Sequence, residues 1–175
     1  MRDLAERQSV AARALAFTVL TAARSGETRG MTWGEVDVKA RLWIIPAHRM
    51  KAAKEHRVPL TEAAIALLGQ SGKAMPDDAV IYGSEATPGK PISDMRMTAV
   101  LRRMNRSDIT VHGFRSTFRD WAGETTGFPR EVIETALAHG LKDKAEAAYA
   151  RSDHIVKRRK FMEAWAAAVR VHVAA

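Results

Sequence analysis

Apolar positions between Val10 and Ala23 recur at helical spacing: Ala11, Leu15, Val19 and Ala22 share one face, with Ala14 and Phe17 beside them. The spacing predicts a helix that breaks at Ser25-Gly26, followed by a short helical stretch through Glu27 to Gly30. From Val36 the pattern changes. Val36, Val38, Leu42, Trp43, Ile44 and Ile45 are β-branched or large and apolar, Pro46 ends that run, and Val58-Pro59-Leu60 closes another. Short antiparallel strands are expected near 36–38, 42–46 and 56–60, with a charged turn around 50–55.

The helical pattern returns from Glu62 to Leu68. Gly72, Pro76, Gly83, Pro88, Gly89 and Pro91 make 71–91 loop-like, around a short Val80-Ile81-Tyr82 strand. Ser93 to Met104 reads as a basic helix, and Thr110 as the N-cap of a helix running to about Glu124. Pro129 at a first helical position and Gly140 just past the end bracket another helix. Two more follow, from Lys144 to Ala150 and from about Asp153 to Val173. The expected class is α+β, mainly α, with a small antiparallel sheet in the N-terminal third and no internal repeat.

Composition narrows the function classes. The 175 residues suit one domain with a real core, and 46% hydrophobic against 27% charged residues is the balance of a folded chain. No apolar run approaches the roughly 20 residues that cross a bilayer, and the charged N-terminus lacks a signal-peptide core. The absence of cysteine excludes disulfides, thiolate zinc sites and a cysteine nucleophile. With 28 Lys+Arg against 20 Asp+Glu, the net charge of +8 favours a polyanionic partner, nucleic acid first and an anionic membrane surface second. The cations cluster: His48, Arg49, Lys51, Lys54, His56 and Arg57; then Arg96, Arg102, Arg103, Arg106, His112, Arg115 and Arg119; then Lys157-Arg158-Arg159-Lys160.

The helix after Thr110 carries the most specific pattern. Phe114, Phe118, Trp121 and Ala122 form an expected core stripe, whereas His112, Arg115 and Arg119 share another face. That face is either a solvated basic surface or a rigid presentation of phosphate-binding groups. Arg24 sits at a helix break, where alone it reads as an arginine facing a helix dipole. Arg49-Met50-Lys51 alone reads as a surface turn. Tyr149, ten residues after His139, is one of two tyrosines; its hydroxyl can attack phosphorus, but a pKa near 10 means it needs help losing its proton. There is no HExxH and no histidine spacing for a metal, and Gly83 to Lys90 fails the phosphate-loop pattern. No paired carboxylates and no Ser-His-Asp order stand out.

Together these segments resemble the catalytic domain of the tyrosine recombinases, the phage integrase family, from about residue 10 to 168. The first box is similar to Leu20-Thr21-Ala22-Ala23-Arg24-Ser25-Gly26-Glu27, running on through Trp33 to Asp37. The hairpin box is similar to Trp43-Ile44-Ile45-Pro46-Ala47-His48-Arg49-Met50-Lys51, closing on His56-Arg57-Val58-Pro59-Leu60. His112-Gly113-Phe114-Arg115, Leu137-Ala138-His139 and Ala147-Ala148-Tyr149 complete the order. The Ile-Pro-Ala-x-Arg-Met-Lys run and Arg158 to Trp165 resemble the satellite-phage and genomic-island branch.

The resemblance implies roles. Arg24 and Arg115 would grip the scissile phosphate and stabilise its transition-state charge. Tyr149 would be the nucleophile that leaves a 3′-phosphotyrosyl enzyme, with Lys51 the general acid at the departing 5′ oxygen. His112 would assist proton transfer, His139 would hydrogen-bond the phosphate, and Glu27 would orient a neighbouring cation. Lys54 competes with Lys51 from the same turn; Tyr82 is the rival of Tyr149 and lies in a loop or strand away from the boxes. No metal, ATP or other cofactor is implied. The implied function is site-specific DNA cleavage and rejoining for integration or excision of a mobile element; the alternatives are type IB topoisomerase-like relaxation and a DNA-binding remnant. The implied partners are double-stranded DNA attachment sites and a homotetramer in synapsis, monomeric when free, in the cytoplasm and away from membranes. Phe161 and Trp165 would pack either on a neighbour or on their own core. Residues 1–175 are expected to be a single catalytic domain, without the arm-binding and core-binding domains that such integrases carry before it.

Overall fold

Helix α1, Val10–Thr21, is the centre of the computed structural model, which describes residues 1, 4, 6–69, 75–139 and 153–169. The Ser9 side chain accepts from the Ala12 N–H and caps its start. Its end is Ala22, left-handed at φ 50°. The expectation of a single apolar face is corrected: Ala12, Ala14, Leu15, Ala16, Phe17, Thr18, Val19, Leu20 and Thr21 are all buried. Helices pack around α1 on several sides, so only its first turn, at Val10, Ala11 and Arg13, stays partly open to water. Its two threonines lend their hydroxyls to their own helix, Thr18 to Ala14 O and Thr21 to Phe17 O at 2.7 Å each.

After the short α2, Ser25–Arg29, the chain forms a three-stranded antiparallel meander: β1 Val36–Asp37, β2 Leu42–Ile45 and β3 His56–Pro59. Its register pairs Val36 with Trp43, Trp43 with Val58 and Ile45 with His56. Trp43 is buried and meets Phe17 of α1 edge-on at 5.6 Å. Three strands and their order were therefore legible from β-branched runs and proline stops. The Val80-Ile81-Tyr82 strand was not borne out: only isolated bridges occur there, Thr32 to Val80 and Gly83 to Pro91. Tyr82 is buried instead, packed near Phe17, and its hydroxyl donates to Leu67 O at 3.3 Å.

The remaining helices are α3 Glu62–Ala66, α4 Asp94–Arg103, α5 Gly113–Thr125, α6 Arg130–Ala136 and α7 Ile155–Ala168. Two boundaries shift from expectation. His112 occupies the N-cap position of α5, while the Thr110 hydroxyl accepts from Gly113 N–H at 3.0 Å and closes the turn ahead of it. Pro129 is the extended residue before α6 rather than its first helical residue. Gly140 and the expected Lys144 to Ala150 helix, with Tyr149, lie outside the described residues. The last helix ends at Ala168 with Val169 as its C-cap, short of the expected Val173.

On α5 the expected division of faces is also corrected. Arg115, Phe118 and Ala122, at i, i+3 and i+7, are the buried line, and Phe114 and Trp121 flank it half-buried. Arg115 thus belongs to the core side, whereas His112 and Arg119 are exposed. The two readings of α7 are resolved in favour of its own core. Phe161 and Trp165 are buried, with ring centroids 4.8 and 5.2 Å from Phe118, and Trp165 Nε1 donates to Val19 O at 2.8 Å. Arg158 on the same helix, only 1% exposed, donates to Asp153 O and to Arg57 O and ties α7 to β3. Among the described residues no helix is long and apolar enough to cross a membrane.

Candidate active site

The left-handed turn at Ala22 ends α1 and throws Arg24 to the N-cap position of α2. Glu27, three residues on, turns back: its carboxylate accepts from the Arg24 N–H at 2.9 Å and from Arg24 Nη1 at 2.6 Å. An acid at this position satisfies an otherwise unpaired helix-start donor and also braces the arginine. Glu27 is 7% exposed and the Arg24 side chain 31%, so the pair has a buried acid and an outward-facing cation.

Arg115 reaches the same place from α5. It is 6% exposed, and its fork donates to Ala22 O through Nη1 and to Leu137 O through Nη2 at 2.7 Å. One guanidinium thereby joins the ends of α1 and α6. Both ends turn on alanines in the left-handed region, Ala22 and Ala138, each at φ 50°. This conformation costs an L-residue about 1–2 kcal/mol, so the two turns carry strain beside the cleft. Burial, helped by the Arg24 charge and opposed by Glu27, lowers the Arg115 pKa to about 10, and Arg115 stays a cation at neutral pH.

His139 follows α6 and is held from behind. Its Nδ1 lies 2.8 Å from Glu134 Oε2, and Arg119 donates to Glu134 Oε1 at 3.1 Å. Burial raises the Glu134 pKa, but the His139 hydrogen bond and the Arg119 charge outweigh it and hold the carboxyl below its usual range. An ionised Glu134 accepts, so Nδ1 donates to it and Nε2 faces Arg115 Nη2, 3.5 Å away. The acid of this pair sits five residues before His139, a spacing that sequence reasoning could have used.

The hairpin between β2 and β3 brings the third cation. A 3-10 turn at Ala47–Arg49 precedes buried Met50 and exposed Lys51. Arg49 Nη1 donates to both oxygens of Glu35, whose Oε2 also accepts from Trp43 Nε1 at 2.9 Å. Arg49 Nη2 donates to Glu27 O at 2.6 Å. Nothing in the linear pattern announced this link, because the partners stand 14 and 22 positions apart. His56 of β3, a member of the first cation cluster along the chain, is buried. Burial, then Arg158, Arg115 and Arg24, push its pKa down to about 3 against an opposing hydrogen bond at Ala136, so it is a buried neutral imidazole.

These segments enclose an open cleft of about 390 Å³, lined by Arg24, Glu27, Arg49, Lys51, His112 and Arg115 among others. Lys51 lines it and Lys54 does not. His139 adjoins it through Arg115, and Tyr149 lies outside the described residues. Three guanidiniums, an amine and an imidazole around one small space suit a compact oxyanion whose negative charge rises during a reaction. Tyr82 is no competitor as a nucleophile, since burial raises its pKa and its hydroxyl is committed to Leu67.

Comparison with known proteins places the chain in a family. Residues 3–154 match the phage integrase family. The chain is 37% identical over 151 residues to the prophage integrase IntA of Escherichia coli (strain K12), covering 86% of this chain and 36% of that protein. It is 32% identical over 169 residues to the integrase of Enterobacteria phage P4, covering 87% and 38%. To the integrase of Shigella phage Sf6 it is 30% identical over 159 residues, covering 90% and 40%. The chain thus spans less than half the length of these relatives. No solved structure matches it significantly. The match across most of its length, with relatives of 30% identity or more, shows that the chain belongs to the phage integrase family.

Proposed function

We propose that this chain is the catalytic part of a site-specific DNA recombinase that cuts and rejoins strands through a 3′-phosphotyrosyl intermediate. The observation that carries the reading is the meeting of Arg24, Lys51 and Arg115, from three separate boxes, around one cleft. Arg24 and Arg115 hold the non-bridging oxygens of the scissile phosphate. The Tyr149 oxygen attacks phosphorus as the bond to the 5′ oxygen breaks, and Lys51 gives that oxygen a proton. His112 assists the proton transfer at the tyrosine, His139 hydrogen-bonds the phosphate, and Glu27 holds Arg24 in place. The phosphotyrosyl bond keeps the energy of the broken bond, so rejoining is attack by another strand's 5′ hydroxyl.

The substrate is double-stranded DNA carrying attachment sites, bound mainly through phosphates, in the cytoplasm of the cell that carries the mobile element. Exchange requires two duplexes and four protomers. The tetramer contacts use surfaces other than Phe161 and Trp165, whose rings are spent on the chain's own core. The test is a nicked suicide duplex, whose cleaved end diffuses away and traps the covalent complex. A protein–DNA adduct that vanishes in Tyr149→Phe supports the reading, and an adduct that persists in that variant contradicts it. Relaxation of supercoiled plasmid without recombinant products would favour topoisomerase-like action instead.

A further inference from the structure

Four basic side chains line the cleft besides Arg115's buried fork, yet one of them is not available to a ligand. Both terminal nitrogens of Arg49 are committed, Nη1 to the Glu35 carboxylate and Nη2 to the Glu27 carbonyl. Its charge is matched by Glu35, which is itself fixed by Trp43 Nε1 of β2. The guanidinium lies across Gly30: a Cβ there would sit 2.7 Å from Arg49 Nη2, although Gly30 has an ordinary φ of −87° that alanine adopts. Arg49 therefore crosses from the hairpin to α2, the helix that carries Glu27 and starts at Arg24. Two residues further along, Lys51 lies in an exposed turn that has no helix or strand of its own.

We infer that Arg49 is a positioning residue, which pins the β2–β3 hairpin to α2 so that the Lys51 amine is presented over the phosphate held by Arg24 and Arg115. The inference rests on the proposed reading of Lys51 as the acid. The residue does not touch the substrate. Glu35 and the missing side chain at Gly30 are parts of the same device. A displacement of about 1 Å at a reacting group costs about 10²-fold in rate, which sets the scale of the loss on removing the pin.

The test compares two suicide duplexes, one ordinary and one with sulfur in place of the bridging 5′ oxygen. A 5′ thiolate departs without a proton, so the sulfur duplex bypasses the acid. Arg49→Ala and Gly30→Ala are expected to slow adduct formation on the ordinary duplex by about 10–10²-fold and to come within about threefold of wild type on the sulfur duplex, as Lys51→Ala does. If Lys51→Ala is restored by sulfur but Arg49→Ala is not, or if Arg49→Ala is as fast as wild type on both, the inference is overturned while the reading of Lys51 stands. If sulfur fails to restore Lys51→Ala, the acid assignment itself falls, and the inference with it. Hydrogen exchange supplies a second readout in the same full chain: faster exchange confined to 50–56 in Arg49→Ala and Gly30→Ala is expected, and unchanged exchange there overturns the pin.

Discussion

A buried glutamate beside Arg24 sets the charge balance of the cleft. Glu27 is buried, contacts Arg24 directly and partly offsets the effect of burial on Arg115. Glu27→Gln keeps the shape and removes the charge, leaving the like charges of Arg24 and Arg115 unopposed. Allowing for the partial exposure of Arg24, the expected loss is about 1–3 kcal/mol in urea unfolding, and added sulfate should recover more stability in the variant than in wild type. A variant as stable as wild type, with an equal sulfate response, would contradict this role. His56 makes a separate prediction. Its folded pKa of about 3 lies below the unfolded 6.5, so the unfolded state takes up the proton first as pH falls. Stability from this residue is complete above about pH 6.5 and is lost on acidification towards about pH 3, with a slope of at most about 1.4 kcal/mol per pH unit. His56→Gln should flatten the pH dependence of unfolding across that window, and an unaltered slope would contradict the assignment. The bracing of a cation by Glu27 was expected from its motif, whereas the neutral state of His56 was not visible in the sequence. Cation identity and proximity were legible, but burial was not, and burial is what makes His56 a neutral imidazole and turns Arg115 from a helix-face cation into a bridge between α1 and α6.

Periodicity and stop residues located most elements because they report local physics. Strands β1, β2 and β3 follow β-branched runs ended by proline, and α4 begins just after the expected Ser93. The errors arose where tertiary contacts override the local pattern. Helix α1 is buried all round from Ala14 to Thr21 because it is central, and the Val80-Ile81-Tyr82 segment lacks a continuous partner strand among the described residues although its residues favour one. Helix α7 could be placed on its own core or on a neighbour from sequence alone, and its rings decide for the former. Phe161→Ala should cost about 3–5 kcal/mol in chemical denaturation, because it opens a cavity against Phe118 and Phe128. Trp165→Phe should cost about 1–2 kcal/mol, mainly through the lost bond to Val19 O. Neither change should alter the oligomeric state seen by light scattering of the free protein; dissociation caused by either would show that α7 packs between chains.

Across the whole molecule the +8 charge is divided between fixed and available cations. Arg49, Arg115 and Arg158 are committed to internal partners, whereas Arg96, Arg102, Arg103, Lys157 and Lys160 are exposed. Exposed cations bind phosphate by releasing counterions, so duplex binding should weaken steeply with salt, by about 10³-fold or more between 50 and 200 mM if about six phosphates are contacted. Salt-independent binding would contradict a phosphate-based contact. The order of the boxes made the site legible from the chain alone: Arg24, Glu27, Lys51, His112 and Arg115 were named from their motifs and line one cleft. The braces behind them, Glu35 for Arg49 and Glu134 for His139, depend on contacts that only folding creates. The central claim is that this cleft serves a tyrosine that becomes covalently joined to DNA. The most direct measurement is to trap the adduct on the suicide duplex, digest it with trypsin and identify the nucleotide-bearing peptide by mass spectrometry. The account predicts the 145–151 peptide with the phosphate on Tyr149. A nucleotide carried on any other residue, or a chain that never forms the adduct, would contradict it.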